Sequence, residues 1–429
     1  MFPQTRPVGD RGTTTFTPID VLKGVVLLSQ SSAAVVTATL PAVQAHGEAI
    51  TSRFYQRMFE AHPELLNIFN KGNQATGEQP AALAASVVAY AEHLINGDDE
   101  KSWELILTRI AHKHASLGIT ATQYTIVGRH LLAAVGEVLG AAVTDEVAAA
   151  WDEVYWLLAC ELIAREARLY TQAGVGEDGS VWRHWQVVEC IQETADVISF
   201  RLVPADGGPL PTFTPGQYVS VAVDLDGGRQ QIRQYSLSGR PGETYWQITV
   251  KRVRATGDAP EGVVSTFLHD RVTAGDTLRL SPPFGEVSAI GDGGPLVLVS
   301  AGIGLTPAMS ALHHLAATET DREVVLVHAD RSAAAHARRR ELPELAEQLP
   351  NMSVLLWYED AADGELDRLK AGVSAGQLDP SRVPLPAEAD IHLCGPVPFM
   401  YQVRAEFLRR GVPKDRIGYD VFGPGMLRD

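Results

Sequence analysis

Three polar residues occupy helix positions where the surrounding pattern places buried apolar side chains. His114 continues the apolar stripe that runs from Trp103 to Ile110, with the spacing of three and four residues that defines one helix face. Tyr124 begins the stripe of the next predicted helix, and Glu166 stands in the stripe of the last one. Because a buried carboxylate is costly unless it is paired, the pattern predicts a His–Tyr–Glu network. A purely structural polar network is the alternative.

A second group of residues faces the same predicted core from the other side. Tyr55 lies beside the apolar stripe of an earlier helix, and Gln79 comes one turn before Leu83. Phe69 stands in the connection between these two helices. A histidine opposite polar donors across an apolar cavity is what haem with a gaseous ligand requires, because the histidine binds iron and the donors stabilise negative charge on the ligand. Taken alone, each residue is weak evidence for such a site.

The middle of the chain carries a motif suited to a flavin. Arg233-Gln234-Tyr235-Ser236 ends a predicted strand and resembles the R-x-Y-S/T motif of ferredoxin-reductase-like proteins. The resemblance implies that Tyr235 lies on the isoalloxazine ring, that Arg233 neutralises the pyrophosphate and that Ser236 hydrogen-bonds the ring. It also places Tyr218, at the start of the preceding strand, near FAD.

A glycine and a hydroxyl open the helix that follows. Gly262, Val264 and Ser265 lie at its predicted start, where backbone N–H groups form an anion site suited to the FAD phosphates. An ordinary helix cap has the same sequence, so the position after the R-x-Y-S motif is what favours FAD binding.

Two further segments suit a pyridine nucleotide. Gly302-Ile303-Gly304-Leu305-Thr306-Pro307 follows an apolar strand, and its glycines would let a pyrophosphate approach the start of a helix. We expect Thr306 to cap that helix and Pro307 to take its first position. The third glycine of the usual dinucleotide fingerprint is missing, so a structural turn is the alternative. Cys394-Gly395-Pro396 is similar to the second nucleotide segment of the same reductases, although Cys394 also fits a plain buried thiol.

The elements that must position these residues change character twice. Residues 1–28 are expected to be a disordered extension, and 29–173 have the apolar spacing of helices throughout. Residues 174–288 predict an antiparallel FAD-binding barrel, and 289–429 predict an open α/β nucleotide-binding sheet. The predicted strands are Val187–Ile191, Val197–Val203, Tyr218–Val223, Ile232–Leu237, Tyr245–Val250, Leu296–Ser300, Val324–His328, Val354–Trp357 and Ile391–Cys394.

Composition excludes several classes of protein. The 429 residues carry 36 Lys and Arg against 52 Asp and Glu, a formal net charge of −16, so a nucleic-acid partner is not expected. Cys160, Cys190 and Cys394 are too far apart for a disulfide framework or a zinc ribbon and suit a reducing cytoplasm. The sequence has no apolar run of about 18 residues, so no membrane-spanning helix is predicted.

With these motifs in place, the chain resembles the flavohaemoglobin family over roughly 400 residues to its C-terminus, which leaves only the N-terminal extension outside. The similarity rests on the stretch from Ser52 to Gln79, on Ile110-Ala-His-Lys-His114-Ala-Ser-Leu and on Ala164-Arg-Glu166-Ala. It implies a proximal haem b ligand, His114, with Tyr124 and Glu166 as its charge relay, a distal side formed by Tyr55 and Gln79, and Phe69 and Leu83 in the haem pocket. It further implies that Lys113 and Asp420 tune electron transfer and that Val421, Phe422, Gly423 and Pro424 contact FAD. The family commonly has Glu-Cys where this chain has Asp420-Val421.

The resemblance implies a nitric oxide dioxygenase, in which NAD(P)H reduces FAD, FAD reduces haem, and O₂ and nitric oxide become nitrate. Two alternatives stay open, a reductase for peroxides, ferric iron or nitrite, and a globin that senses or binds O₂. The choice between NADH and NADPH is open, since Arg331 and Arg338 to Arg340 suit a 2′-phosphate contact but are better explained as a solvated helix face. We expect a cytoplasmic monomer, and bound lipid in the haem pocket is undecided.

Overall fold

The computed structural model describes residues 28–68, 78–97, 100–176, 180–225, 227–257, 260–286, 289–291, 293–318, 320–360 and 371–422. Phe69, Gly423, Pro424 and nearly all of the predicted N-terminal extension lie outside these ranges, as does the side chain of Gln79. Three domains follow one another along the chain. The first two have one apolar core each, and the third has a core on either face of its sheet.

The N-terminal part is a helical bundle. Its fourth and sixth helices pack against each other, as do the second and fifth, and the first packs on the sixth. Thr144 caps the sixth helix by accepting from the Val147 N–H group, and Thr120 and Gln123 form a capping box at the fifth. The helices are α1 Gln30–Ala45, α2 Gly47–Ala61, α3 Glu78–Asn96, α4 Glu100–Leu117, α5 Ala121–Leu139 and α6 Asp145–Gln172, with a 3₁₀ turn at Pro63–Asn67.

One helix of this bundle meets the criteria for a membrane span. By length and composition alone, α5 with the turn after it is long and apolar enough to cross a bilayer. It packs against α2 and α6, and it carries the buried side chains of Tyr124, His130 and Leu131.

The middle part is a six-stranded antiparallel sheet that closes into a barrel. Strand order is β4-β3-β6-β1-β2-β5, and a bridge between Leu237 and Ile248 joins the two ends. Alternate residues such as Phe200, Leu202 and Trp246 fill the interior, as the two-residue period of a strand requires. The elements are β1 Arg183–Thr194, β2 Val197–Pro204, β3 Tyr218–Leu225, β4 Arg229–Ser236, β5 Trp246–Lys251, helix α7 Val263–Arg271 and β6 Thr277–Leu280.

The C-terminal part is a parallel sheet in the order β10-β9-β8-β7-β11-β12. Its central strands are apolar on both faces, since Leu298 belongs to one core and Val299 to the other. The elements are β7 Leu296–Ala301, α8 Leu305–Ala317, β8 Val324–Ser332, α9 Leu342–Gln348, β9 Met352–Asp360, β10 Ala371–Ala375, β11 Asp390–Cys394, α10 Val397–Arg409 and β12 Ile417–Asp420.

The predicted order of helical bundle, antiparallel barrel and α/β sheet is confirmed. All nine predicted strands fall within or beside an observed strand. The sequence interpretation missed β6, β10 and β12. They are four or five residues long, too short for a clear period-two pattern.

Candidate haem, flavin and nucleotide sites

The three inward polar residues of the bundle meet in one hydrogen-bonded network. Tyr124 donates to the Glu166 Oε1 atom over 2.5 Å, and the His114 Nδ1 atom lies 2.9 Å from that same oxygen. Glu166 is buried on α6 and Tyr124 on α5. Burial, and next the charge of Glu166, raise the pKa of the Tyr124 phenol, which therefore stays a donor. The network that the sequence predicted is present.

Local backbone structure fixes the two ends of this network. Gly118, at φ 73°, ends α4 with a pair of bonds in which the Ile119 N–H group reaches back to the His114 carbonyl. Tyr155 donates to the Tyr124 carbonyl over 2.5 Å. Gly128 leaves room for that tyrosine, because a Cβ there would lie 2.4 Å from its ring. The backbone at His114 is thus held by the end of α4, and the backbone at Tyr124 by Tyr155 of α6.

The space beside His114 fits a haem. A third of the His114 side chain is accessible, against 3% for Glu166, so the ring is held at Nδ1 and open at its other edge. Within the described residues α3 and α4 contact each other through the rings of Tyr90 and Trp103, and apolar side chains such as Leu83 and Ile110 on these helices are only half-buried. A carboxylate that accepts from Nδ1 leaves Nε2 as the metal-binding atom. These residues suit a flat apolar group with an iron beside His114.

The distal candidates are only partly described. Tyr55 is buried on α2, and its ring stacks with that of Phe59 at 5.7 Å between centroids. Leu83 is half-buried against the core of the bundle. Gln79 belongs to α3, but its side chain lies outside the described residues, as does Phe69. The structure therefore puts Tyr55 and Leu83 in this domain and leaves their contact with Gln79 a prediction.

The flavin motif forms the end of β4. Ser236 pairs with Tyr218 and Gln234 with Ser220 across the β3–β4 ladder, so two predicted flavin residues are direct partners. Burial lowers the pKa of the Arg233 guanidinium, which donates to the Ile232 carbonyl over 2.7 Å. Burial also raises the pKa of the Tyr235 phenol. A desolvated cation beside an aromatic ring suits a flavin nucleotide.

Gly262 and Ser265 hold the start of α7 against the strand before it. The Ser265 hydroxyl donates to the Gly262 carbonyl over 2.9 Å and accepts from the Val253 N–H group over 3.1 Å. A Cβ at Gly262 would lie 2.6 Å from this hydroxyl. Val264 is buried. The hydroxyl is thus engaged with backbone, and an anion at this helix would be met by the N–H groups of its first turn.

The two nucleotide segments meet at the carboxyl edge of the parallel sheet. Cys394 and Ser300 are partners on adjacent strands, and a Cβ at Gly304 would lie 2.3 Å from the Cys394 carbonyl oxygen. Only glycine permits this approach. Cys394 is buried, and burial raises the pKa of its thiol well above the usual value. In open α/β sheets this edge, where Gly395 and Pro396 follow, is the usual ligand-binding crevice.

Two predictions about this region are wrong. The helix α8 begins at Leu305, its first flanking residue is Gly304, and no side chain caps it. Thr306 instead donates to the Ile303 carbonyl, because Gly302–Gly304 forms a 3₁₀ turn that already leads into the helix. Pro307 is therefore the third helical residue, where its missing N–H group still needs no partner.

Arg338 fits neither alternative considered for it. It is buried, donates to both carboxylate oxygens of Glu341 and bonds the Ser238 carbonyl of the barrel. Arg338 therefore joins the α/β sheet to the barrel. Arg331 and Arg340 are exposed.

The C-terminal strand brings the last candidates toward the barrel. Asp420 pairs with Cys394 in register and lies 3.1 Å from the His392 Nε2 atom. Val421 is half-buried, and Phe422 exposes 54% of its surface, which leaves an aromatic face open to a ligand. Lys113 lies on α4 beside His114, and burial lowers its pKa to about 8. Gly423 and Pro424 are outside the described residues.

A second face of α4 contacts the reductase part, and the sequence interpretation missed it. Arg109 binds Glu286 over 2.5 Å and stacks on the Tyr419 ring at 4.5 Å. The His112 Nδ1 atom accepts from the Gly285 N–H group over 3.0 Å. Burial lowers the pKa of His112, which keeps the ring neutral and able to accept. The signal was the spacing of polar residues at 109, 112 and 116, which share one face of a helix.

Ser116 completes that face. Its hydroxyl accepts from the Gln234 Nε2 atom over 2.8 Å and from the Ser220 hydroxyl over 3.0 Å. The helix that carries His114 thereby touches the strand that carries the flavin motif.

Comparison with known proteins agrees with this arrangement. The globin family model matches residues 52–162, and that of the oxidoreductase NAD-binding domain matches 298–405. The flavohemoprotein of Bordetella pertussis is 45% identical over 410 residues, which cover 93% of this chain and 99% of that protein. The flavohemoprotein of Deinococcus radiodurans is 40% identical over 406 residues, covering 93% and 98%.

Two solved structures extend the comparison. The flavohemoglobin of Malassezia yamatoensis, with bound FAD and haem, is 34% identical, has a TM-score of 0.81, and covers 92% of this chain and 100% of its own. The flavohem-like FAD/NAD-binding domain of the nitric oxide dioxygenase from Vibrio cholerae is 38% identical with a TM-score of 0.51, covering 56% and 99%. Identity at this level over nearly the full length establishes that the chain belongs to the flavohemoprotein family.

Proposed function

We propose that this chain is an NAD(P)H-dependent nitric oxide dioxygenase, which converts nitric oxide and O₂ to nitrate. The observation that carries the proposal is the double role of α4. One face bears His114 in its network with Tyr124 and Glu166, and the other contacts Gln234 in the flavin motif. A single helix thus joins a haem ligand to the reductase that would keep haem reduced. The balanced reaction is 2 NO + 2 O₂ + NAD(P)H → 2 NO₃⁻ + NAD(P)⁺ + H⁺.

Three cofactors are required for this activity. When bound, haem b supplies an iron that takes O₂, and FAD converts the two-electron reduction by NADH or NADPH into single-electron steps. We assign haem b to His114. FAD is assigned to Tyr218, Arg233, Gln234, Tyr235, Ser236, Gly262, Val264, Ser265, Val421, Phe422, Gly423 and Pro424. The nucleotide is assigned to the loop Gly302–Pro307 and to Cys394, Gly395 and Pro396.

On the proximal side, Glu166 and Tyr124 act by fixing which ring nitrogen of His114 carries the proton. Glu166 accepts a hydrogen bond from the Nδ1–H group of His114, which sets the tautomer and raises the basicity of Nε2. Tyr124 donates to the same oxygen of Glu166 and so holds the carboxylate in place. The more basic imidazole would increase electron density on an iron bound at Nε2. A dioxygenase needs this higher electron density on the iron, whereas a globin that only stores O₂ does not.

On the distal side, Tyr55 and Gln79 are proposed to donate hydrogen bonds to the O₂ that the site takes up. The Tyr55 ring is held by its stacking with Phe59, so its hydroxyl has a fixed direction. A hydrogen bond to a charged acceptor is worth about 1.5–3 kcal/mol, enough to retain O₂ until nitric oxide arrives.

The proposal includes the oligomeric state of the enzyme and its cellular compartment. Because haem ligand, flavin motif and nucleotide loop all lie in one chain, a monomer suffices for the electron path. Its three cysteines are free thiols, which suits the reducing cytoplasm.

The test is nitric oxide consumption by purified protein loaded with haem and FAD, under air, with NADH or NADPH. We expect fast removal that depends on O₂, yields nitrate and is faster with one of the two nucleotides. The matched control is His114→Ala loaded with FAD. Slow removal by a protein that shows a Soret band and a flavin reducible by NADH would contradict the proposal and favour a sensor or another electron acceptor.

A further inference from the structure

The helix α4 has two opposite faces with different partners. Arg109, His112 and Ser116 are spaced by three and four residues and so share one face, on which all three contact the barrel. His114 is two residues from His112 and from Ser116, a rotation of about 200° in a helix, and faces Glu166 instead. The helix is one rigid element, so the contacts on its barrel face fix the position of its haem-ligand side relative to the barrel.

Ser116 is the most enclosed contact on the barrel face. It has no exposed surface, and its hydroxyl donates to the Lys113 carbonyl over 2.8 Å. The same oxygen accepts from Ser220 and from Gln234. A hydroxyl has one donor and two acceptor positions, so these three bonds use its whole capacity.

The two barrel partners of Ser116 belong to the framework of the flavin motif. Ser220 and Gln234 are paired residues on β3 and β4, and Gln234 lies between Arg233 and Tyr235. One oxygen atom thus fixes two adjacent strands against the helix that carries His114.

We propose that Ser116 is a positioning residue for electron transfer from flavin to haem, because its hydroxyl holds the flavin-motif strands in register with the haem-ligand helix. The inference rests on the proposed function for the direction of electron flow. Removing the oxygen would leave the Gln234 amide and the Ser220 hydroxyl without this partner inside a closed junction. A buried donor without its partner is costly, so helix and strands would shift apart or admit water.

The experiment compares Ser116→Ala with the wild-type holoprotein in anaerobic stopped flow without nitric oxide. NADH is added, and flavin bleaching and haem reduction are followed at separate wavelengths. We expect haem reduction to slow about fivefold or more, the ratio that corresponds to one buried hydrogen bond. The rate of flavin bleaching, the dye reductase activity, and the FAD and haem content should stay unchanged.

Ser310→Ala is the matched control. Ser310 is also fully buried and also crosses a domain junction, since its hydroxyl donates to the Gly239 carbonyl over 2.9 Å. That junction joins the α/β sheet to the barrel, away from α4. Its loss should leave the rate of haem reduction by reduced flavin unchanged, so a slow Ser116→Ala with a normal Ser310→Ala supports the proposal.

Two measurements separate positioning from general damage. The iron–histidine stretching frequency should be the same in Ser116→Ala as in wild type, because the network of His114 is on the other face. Ser220→Ala should slow haem reduction less than Ser116→Ala, and the double variant should be no slower than Ser116→Ala. If Ser116→Ala fails to fold, Ser220→Ala still provides the comparison.

The outcomes bear separately on the two proposals. Equal haem-reduction rates in Ser116→Ala and wild type, additive effects of the two serines or a changed iron–histidine frequency would overturn the inference while leaving the dioxygenase intact. A slowed Ser116→Ala in a protein that does not consume nitric oxide would support the inference and contradict the proposed function.

Discussion

The two faces of α4 are built on different principles. On the haem face, His114 belongs to a closed network with Tyr124 and Glu166, entirely within the helical bundle. On the barrel face, Arg109 and Ser116 bond partners that lie more than 100 residues further along the chain. Under the proposed function, the haem ligand would be tuned inside one domain, whereas electron delivery would depend on contacts between domains. Haem ligation and electron delivery can therefore be impaired separately, each by mutations on one face of α4.

The largest effect is expected from His114→Ala. Without the imidazole, haem has no protein ligand among the residues assigned to it, so the haem to FAD ratio should fall nearly to zero. Reduction of a dye by NADH should continue at the wild-type rate, because the barrel face is intact. The two cofactors are measured by their absorbance after extraction. Haem bound at normal stoichiometry would show that another residue is the ligand.

Glu166→Gln tests the haem face without removing haem. The amide has nearly the same shape but no charge, so Nε2 of His114 becomes less basic. Loss of such a supporting partner usually costs about 10–100-fold in metal affinity or activity. We expect a decrease of that order in nitric oxide turnover and a lower iron–histidine stretching frequency, with an unchanged rate of flavin-to-haem transfer in the loaded protein. Tyr124→Phe, which keeps the charge, serves as the milder control.

The haem face was predictable from sequence because its members break a strong pattern. A histidine, a tyrosine and a glutamate at apolar positions of three helices have few explanations, and the structure brings all three within hydrogen-bond distance. The glycines of the nucleotide loop were predictable for a similar reason. Position 304 accepts only glycine, since a Cβ there would collide with the Cys394 carbonyl.

The barrel face was not predictable in the same way. Arg109, His112 and Ser116 are ordinary residues for a solvated helix face, and only the later fold of the barrel gives them partners such as Glu286. Arg338 was misjudged for the same reason, because its partner Ser238 belongs to another domain. A polar face with helical spacing does not by itself show whether solvent or another domain covers it.

Arg109→Ala should weaken the barrel face with a smaller effect than the loss of Glu166. The side chain binds Glu286, which is 10% exposed, and stacks on Tyr419 of the last strand. A charged hydrogen bond of about 1.5–3 kcal/mol is lost, part of which solvent restores. We expect severalfold slower haem reduction and an unchanged iron–histidine frequency. Arg109→Lys keeps the charge but loses the flat stacking group, and should fall between the two. A changed haem spectrum with an unchanged transfer rate would contradict the separate roles assigned to the two faces.

The smallest effect on electron transfer is expected at the junction that does not involve α4. There Arg338 and His313 both bond Glu341, at 2.6 Å each. Burial alone would raise the pKa of Glu341, but the hydrogen bond from His313 and the charge of Arg338 outweigh it and lower the pKa to about 2. A lowered carboxyl pKa stabilises the fold fully above its ordinary value near 4.5 and progressively less as the pH falls toward 2.

Glu341→Gln should therefore lower the Tm at neutral pH, and the difference should shrink as the pH falls below about 4.5. The loss should be about 1–3 kcal/mol, less than for a fully buried pair because a third of the carboxylate side chain is exposed. Haem reduction by reduced flavin should keep its wild-type rate at neutral pH, because Ser116 and Arg109 are untouched. A slowed transfer in this variant would mean that any loosening between domains impairs electron delivery. That result would contradict a specific role for the barrel face of α4. An unchanged transfer with the expected pH profile would assign electron delivery to the barrel face of α4 and stability alone to the second junction.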